Sequence, residues 1–189
     1  MLVIQHRAQD DQEIRAEYAE IDVMMTEDRV VVCRHDHRYK GVPVWSQNYV
    51  PDMGPTLKDF VEACPAKLFV ELKLGSLHVD AGIKDFEQQV LVQSPGAFAY
   101  LSFDFRSIYE LRKLAPNATL LANAHGIRLP APFHNLRHFA NGICVPLLHA
   151  THHLRAHDLP TYVYGVNGPS EVAYMPIKGV ITDYPELWK

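Results

Sequence analysis

Apolar residues recur along this chain in short runs, separated by stretches of longer period. Runs at 2–6, 19–26, 68–73, 99–103, 119–124, 142–147, 161–166 and 178–183 have the length of strands. Stretches at 56–64, 80–93 and 104–115 have helical spacing, with weaker ones at 134–140, 151–157 and 169–174. Thr56 with Asp59 resembles a capping box. Asp104 is placed to cap the helix carrying Ile108, Leu111 and Leu114, and Pro116 stops it. Strands alternating with helices predict a parallel sheet, and eight such units predict a closed TIM (β/α)8 barrel. One further apolar run, 29–35, follows the second strand after only Glu27 and Asp28. That gap is too short for a parallel crossover, so it predicts a β-hairpin extension beyond the barrel top. The stretch 8–18 is too short for a loop plus a barrel-length helix, and few residues follow the last strand. The first and last outer helices are therefore expected to be short or missing.

Composition narrows the class. A chain of 189 residues fits one domain, 1–189, with a sizeable core. A net charge of −4 gives no electrostatic footprint for nucleic acid, and no basic cluster points to an anionic membrane. Cys33, Cys64 and Cys144 are scattered and form no C-x-x-C pair, so they read as buried thiols of a reducing compartment. No signal-peptide pattern and no membrane-length apolar run is seen, and the expected location is cytoplasmic.

Several strand-like runs carry ionisable residues. Residues two apart in a strand share a face, so Glu20 and Asp22 point the same way, as do Glu71 and Lys73. His6 and Arg7 close the first run, and His35 with Asp36 closes the valine run 30–32. In a barrel of this kind the active site lies at the C-terminal ends of the strands, and these residues sit at or near those ends. Buried carboxylates are costly unless they are paired or bind a cation. Glu20, Asp22 and Glu71 offer only oxygen ligands, which suits a hard divalent cation such as Mg²⁺ or Ca²⁺. Cleaving a phosphodiester needs its charge neutralised, one proton removed and one supplied. Arg7 and Lys73 would complete a clamp on the phosphoryl oxygens, and His6 and His35 would divide the acid and base roles in an order left open. The loop 40–55 lies on the same face, and its Trp45 and Tyr49 either wall a substrate cleft or pin the loop. His149, His152, His153 and His157 form a rival cluster with i, i+4 spacings able to hold zinc. No glutamate accompanies them as in H-E-x-x-H, and they read as a solvated helix face. His125 and His149 follow strands and are placed to line the pocket.

An alternating charge pattern alone would suit a solvated edge strand. The collinear order of the motifs argues otherwise. His6-Arg7, Glu20-Ile21-Asp22, Thr26-Glu27-Asp28 with the valine run into His35-Asp36, and Glu71-Leu72-Lys73 together resemble the glycerophosphodiester phosphodiesterase family. Leu101-Ser102-Phe103-Asp104 looks like that family's Ser-Phe segment. Tyr164-Gly165-Val166-Asn167 stands where it commonly has Trp-Thr-Val-Asn, and Gly179 to Pro185 looks like its closing segment. The resemblance covers nearly the whole chain. It implies a TIM barrel and metal-dependent hydrolysis of glycerophosphodiesters, or similar small phosphodiesters, to an alcohol and a phosphomonoester. It also implies metal at Glu20, Asp22 and Glu71, with His6 and His35 as acid and base.

The sequence departs from the family where Ala8 replaces the glycine after His-Arg and the Pro-Glu-Asn-Thr segment is absent. These losses remove part of the cleft wall and bear on the substrate. Two alternatives accompany the reading: a non-catalytic binding domain on a degenerate barrel, and a phospholipase-D-like activity on lysophospholipids. Absence of both terminal helices would expose a contiguous apolar strip of the first and last strands, which predicts a homodimer. Coverage of that strip by Leu187 and Trp188 is the alternative.

Overall fold

The computed structural model describes residues 1–10, 13–73, 85–126, 136–156 and 158–188. Its strands are β1 (Leu2–Gln5), β2 (Tyr18–Met25), β3 (Val31–Cys33), β4 (Arg38–Tyr39), β5 (Val42–Pro43), β6 (Lys67–Leu72), β7 (Ala99–Ser102), β8 (Leu120–Asn123), β9 (Gly142–Pro146), β10 (Thr161–Tyr164) and β11 (Gly179–Thr182). Its helices are α1 (Leu57–Ala63), α2 (Phe86–Gln93), α3 (Phe105–Leu114) and α4 (Ala150–Ala156). The main sheet runs β1-β11-β10-β9-β8-β7-β6-β2-β3, and a further β1–β2 pairing closes it. Every pair in the ring is parallel, so the fold is the TIM barrel that the alternating pattern predicts. β3 returns antiparallel along β2, with Val23 opposite Cys33 and Met25 opposite Val31, which is the expected hairpin extension.

Alternation along each strand divides the core in two. Inside the ring, Ile4, Phe69, Ala99, Leu101, Leu121, Cys144, Tyr162 and Ile181 pack together. Outside it, Ala19, Ile21, Val70, Leu120, Ile143, Val163 and Val180 meet the helices. Both faces are buried, which is why these strands read as continuous apolar runs. Large rings need small partners: a Cβ at Gly179 would lie 2.9 Å from the Tyr162 ring. The lower mouth is closed by aromatic contacts among Tyr18, Phe69 and Phe98, with Tyr18–Phe98 and Phe69–Phe98 centroids 5.1 Å apart.

The helix caps form as the sequence predicts. Thr56 accepts from the Asp59 N–H, and its hydroxyl donates to the Asp59 carboxylate at 2.7 Å. Asp104 accepts from the Arg106 N–H. The stretch 169–174 is a correction: a 3₁₀ turn, Pro169–Glu171, stands there in place of a helix. Residues 80–84 and 134–135 of two expected helices lie outside the described residues, and 136–138 form one 3₁₀ turn.

The thin sector of the wall falls where expected. A 3₁₀ turn, Ala8–Asp10, links β1 toward β2, and another, Pro185–Trp188, follows β11. Side chains replace the helix there. The buried Gln5 donates to the Glu13 carbonyl at 3.0 Å and accepts from the Arg15 N–H at 2.7 Å. Arg15 in turn pairs with Glu186 at 3.1 Å. Ile14 and Trp188 pack on the outer core beside Val3, so Trp188 covers part of the strip while Leu187 is exposed.

Candidate active site

The C-terminal mouth of the barrel gathers the ionisable residues. Glu20 and Asp22 lie in the middle of β2 and not near its end, which corrects the sequence expectation. They still reach the rim because β2 is the long strand. β1 ends level with Ala19, whereas Asp22 stands opposite Glu71 on β6, and β2 runs on to pair with β3. Glu20, Asp22 and Glu71 are all buried, and an oxygen from each lies within 4.8 Å of the others. Among the described residues no other group of three His, Cys, Asp or Glu gathers this way.

Each carboxylate gives one oxygen to an uncharged N–H donor. The Arg7 main-chain N–H donates to Glu20 Oε2 at 3.0 Å. Gln9 Nε2 donates to Asp22 Oδ2 at 3.0 Å, and Gln9 Oε1 accepts from the Asp22 N–H at 3.3 Å. Asn123 Nδ2 donates to Glu71 Oε2 at 2.9 Å. The other oxygens differ. Lys73 Nζ lies 2.8 Å from Asp22 Oδ1 and also pairs with Glu71 Oε1. Glu20 Oε1 is buried with no hydrogen-bond partner among the described residues. Burial, then the charges of Asp22 and Glu71, hold the Glu20 carboxyl well above its usual range. Burial likewise pushes Glu71 up to about 6, against the pull of Lys73 and with the push of Asp22. Burial opposes the Lys73 charge, but Glu71 and Asp22 outweigh it and raise the ammonium.

Arg7, the first residue after His6, adopts a left-handed φ of 47°. Its Nη2 donates to His35 Nε2 at 2.6 Å, and its Nε lies 3.9 Å from Asp22 Oδ2. His35 reaches this position because β3 folds back along β2 and the Arg34 N–H continues the pairing to the Asp22 carbonyl at 2.8 Å. The Arg34 guanidinium pins the loop by donating to the carbonyls of Asp36, Met53 and Arg38. His35 Nδ1 lies 3.1 Å from Asp36 Oδ1, and His6 Nδ1 lies 2.7 Å from Asp183 Oδ1. These partners assign the Nδ1–H tautomer to both rings.

The mouth also has an aromatic side. Phe103 and His125 stack with centroids 3.7 Å apart, and Tyr164 meets Phe103 edge-on at 6.2 Å. The Tyr164 hydroxyl donates to the Ala124 carbonyl at 3.0 Å. Lys73 Nζ stands 5.9 Å from the Phe103 ring, and burial with the Lys73 charge keeps the His125 imidazole below its usual range. His125 thus lies at the mouth as expected.

Other expectations fare differently. Tyr49 donates to the Gly54 carbonyl at 3.1 Å and packs against the cluster of Met24, Val32, Val44 and Met53. It pins the loop. Trp45 is partly buried on the outer core and stacks on His37. In the rival histidine cluster, His153 is fully buried with Nε2 2.8 Å from the Gly126 carbonyl, so that face of α4 is not solvated. His152 is exposed, and His157 lies outside the described residues. Sequence reasoning missed Gln9 and Asn123, and it named Asp36 and, within the closing segment, Asp183 without giving either a role beside a histidine.

Fold and site together define a TIM barrel with an acidic, cation-suited centre at its C-terminal mouth. No protein-family model matches the sequence, and no curated protein matches it. Solved structures do resemble the fold. The chain is similar to a phosphodiesterase from Oleispira antarctica in complex with the product sn-glycerol-3-phosphate, with TM-score 0.78 and 19% identity over 98% of this chain and 94% of that one. It is similar to a glycerophosphodiester phosphodiesterase from Parabacteroides distasonis, with TM-score 0.74 and 20% identity over 98% and 93%. A glycerophosphodiester phosphodiesterase from Thermotoga maritima gives TM-score 0.69 and 19% identity over 99% and 96%. At these identities the likeness establishes the barrel and its near-complete span.

Proposed function

We propose that this chain is a divalent-cation-dependent phosphodiesterase that hydrolyses glycerophosphodiesters or similar small phosphodiesters to an alcohol and a phosphomonoester. The observation that carries the reading is the carboxylate set of Glu20, Asp22 and Glu71. It is buried, mutually repelling, and leaves Glu20 Oε1 without a partner among the described residues. An all-oxygen donor set of this charge fits Mg²⁺ or Ca²⁺. The product named in the Oleispira complex supports the substrate class.

When bound, the cation would neutralise charge on the phosphoryl oxygens. Arg7 and Lys73 bind the remaining phosphoryl oxygens, and Lys73 stays charged because Asp22 and Glu71 flank it. His35 is the base. Its Nε2 accepts from Arg7 and so carries a lone pair, while Asp36 orients the ring through Nδ1. It takes the proton of the attacking hydroxyl, whether that of water or of the substrate. His6 is the acid. Asp183 accepts from the His6 Nδ1–H and orients the ring, and Nε2, when protonated, delivers the proton to the leaving oxygen. The Phe103, His125 and Tyr164 side of the mouth receives the alcohol portion.

The test is a panel of glycerophosphodiesters incubated with Mg²⁺, Ca²⁺, Mn²⁺ or a chelator. Cation-dependent release of a phosphomonoester is expected, with none under chelation. No turnover of any diester with any cation sinks the reading.

The remaining expectations are part of the same proposal. Residues 1–189 form one domain. Three free cysteines support a reducing cytoplasmic setting, and no helix among the described residues is long and apolar enough to cross a membrane. A homodimer would use the thin sector beside β1, where Leu187 is exposed. Sedimentation at micromolar concentration checks it, and a lone 21.5 kDa species overturns it.

A further inference from the structure

The uncharged donors around the carboxylates do more than satisfy buried oxygens. Resting on the reading that Glu20, Asp22 and Glu71 hold a divalent cation, we propose that Gln9 and Asn123 are positioning residues that make the site select Mg²⁺ over Ca²⁺.

The carboxylate oxygens differ in what engages them. Gln9 is anchored to Asp22 at both ends of its carboxamide, by Nε2 to Oδ2 at 3.0 Å and by Oε1 from the main-chain N–H at 3.3 Å. It cannot swing away without losing both bonds. Asn123 is 3% exposed and closes β8, so the barrel backbone fixes it. Its Nδ2 holds Glu71 Oε2 at 2.9 Å. Turning that amide over would face Oδ1 to the carboxylate, so the donor orientation is set. The Arg7 main chain does the same for Glu20 Oε2. Each carboxylate therefore has one oxygen held by a neutral donor; of the other three, Glu20 Oε1 has no partner among the described residues, and Asp22 Oδ1 and Glu71 Oε1 face the Lys73 ammonium, which a cation would displace from them.

The two ions differ in what they ask of such a set. Ca²⁺ takes roughly 6–8 oxygens at about 2.3–2.6 Å and readily uses both oxygens of one carboxylate. Mg²⁺ requires near-octahedral ligands at about 2.0–2.1 Å and keeps several waters. Three carboxylates limited to one oxygen each suit Mg²⁺ and deny Ca²⁺ its extra ligands. The donors are also neutral. A lysine or arginine in the place of Gln9 or Asn123 would orient the oxygen but cancel the charge that attracts the cation. Gln9 and Asn123 orient it and leave the charge intact.

The test measures binding without substrate. Metal-stripped full-length protein is titrated with MgCl₂ and, separately, CaCl₂ by calorimetry, with melting temperature as a second readout. Wild type should bind Mg²⁺ at least as tightly as Ca²⁺. Asn123→Leu releases Glu71 Oε2 and should weaken Mg²⁺ by ~10–100-fold, the usual cost of losing an outer partner of a ligand. Ca²⁺ should weaken less or tighten, because Glu71 can then offer both oxygens. Gln9→Leu should act likewise through Asp22. Gln9 is only partly buried, so this variant serves where Asn123→Leu does not fold. A merely structural role would weaken both ions alike, and an unchanged Mg²⁺/Ca²⁺ ratio in a folded variant overturns the proposal. So does tighter Ca²⁺ than Mg²⁺ binding by wild type, which would leave the phosphodiesterase reading standing. Binding of neither ion would remove the cation site itself and both proposals with it.

Discussion

Protein stripped of divalent cations should lose stability as pH rises from about 4.5 to about 6. The perturbation is chelation across a pH series, and the responsible group is Glu71. Burial, opposed by Lys73 and reinforced by Asp22, takes its carboxyl from 4.5 to about 6. A folded-state value above the unfolded one means that the native state binds the proton more tightly. The stabilisation is therefore complete below about 4.5 and is lost as pH climbs through about 6. At roughly 1.4 kcal/mol per tenfold change in proton affinity, the loss comes to ~2 kcal/mol. Glu20 is pushed the same way, by burial and then by Asp22 and Glu71, and steepens the fall. For a chain of this size ~2 kcal/mol lowers the melting temperature by roughly 4–8 °C.

Calorimetry in chelator between pH 4 and 7 reads the effect, with saturating Mg²⁺ in parallel. Cations bind the ionised carboxylates, so Mg²⁺ should reverse the slope. Glu71→Gln separates this group from the histidines: the fall across the window should shrink by ~2 kcal/mol in that variant. A chelated wild type whose melting temperature is flat or rises across the window would refute the argument. Burial and neighbouring charge would then not penalise the ionised carboxylates.

The histidine roles and the core each give a simpler check. His6→Ala and His35→Ala should each lower kcat by ~10²–10⁴ on a glycerophosphodiester while the Mg²⁺-induced thermal shift persists. A nitrophenyl diester, whose leaving group needs no proton, should restore His6→Ala and not His35→Ala; equal rescue of both would remove the assignment. Gly179→Ala should cost ~1–3 kcal/mol in urea unfolding, since its Cβ would press on the Tyr162 ring from 2.9 Å. Unchanged stability would show that the ring yields.

The barrel was legible in the sequence because its strands are buried on both faces. Val70 faces the helices while Phe69 faces the ring interior, and both are fully buried. The charged part of the site was legible for the complementary reason: Glu20, Asp22 and Glu71 interrupt such runs. Gln9 and Asn123 carry no charge to mark them. Asn123 did leave a trace, as the one amide closing Leu120-Leu121-Ala122 at the barrel's C-terminal mouth, where a buried polar group needs a partner. Gln9 left none, because its contact with Asp22 depends on how the chain turns after β1. His153 misled for a similar reason. Spacing put it on a helix face, but only packing against the Gly126 loop decides that the face is inside.

That turn after β1 ties the reduced wall to the site. A full helix there would carry the chain away from the rim before β2 begins. Here the chain turns at Arg7 and runs as one 3₁₀ turn through Ala8–Asp10, with Ala8 buried. The turn presents the Arg7 N–H to Glu20 and the Gln9 carboxamide to Asp22, so the shortened connection supplies two of the three donors on the carboxylate set. Arg7 holds the turn at φ 47°, a region that disfavours a residue with a Cβ by roughly 1–2 kcal/mol. Glycine would adopt it freely and would present the same N–H to Glu20. It would not reach His35, and it would put no cation 3.9 Å from Asp22. The strain is therefore tied to the side chain, as the proposed clamp on an anionic substrate requires and a connector alone does not.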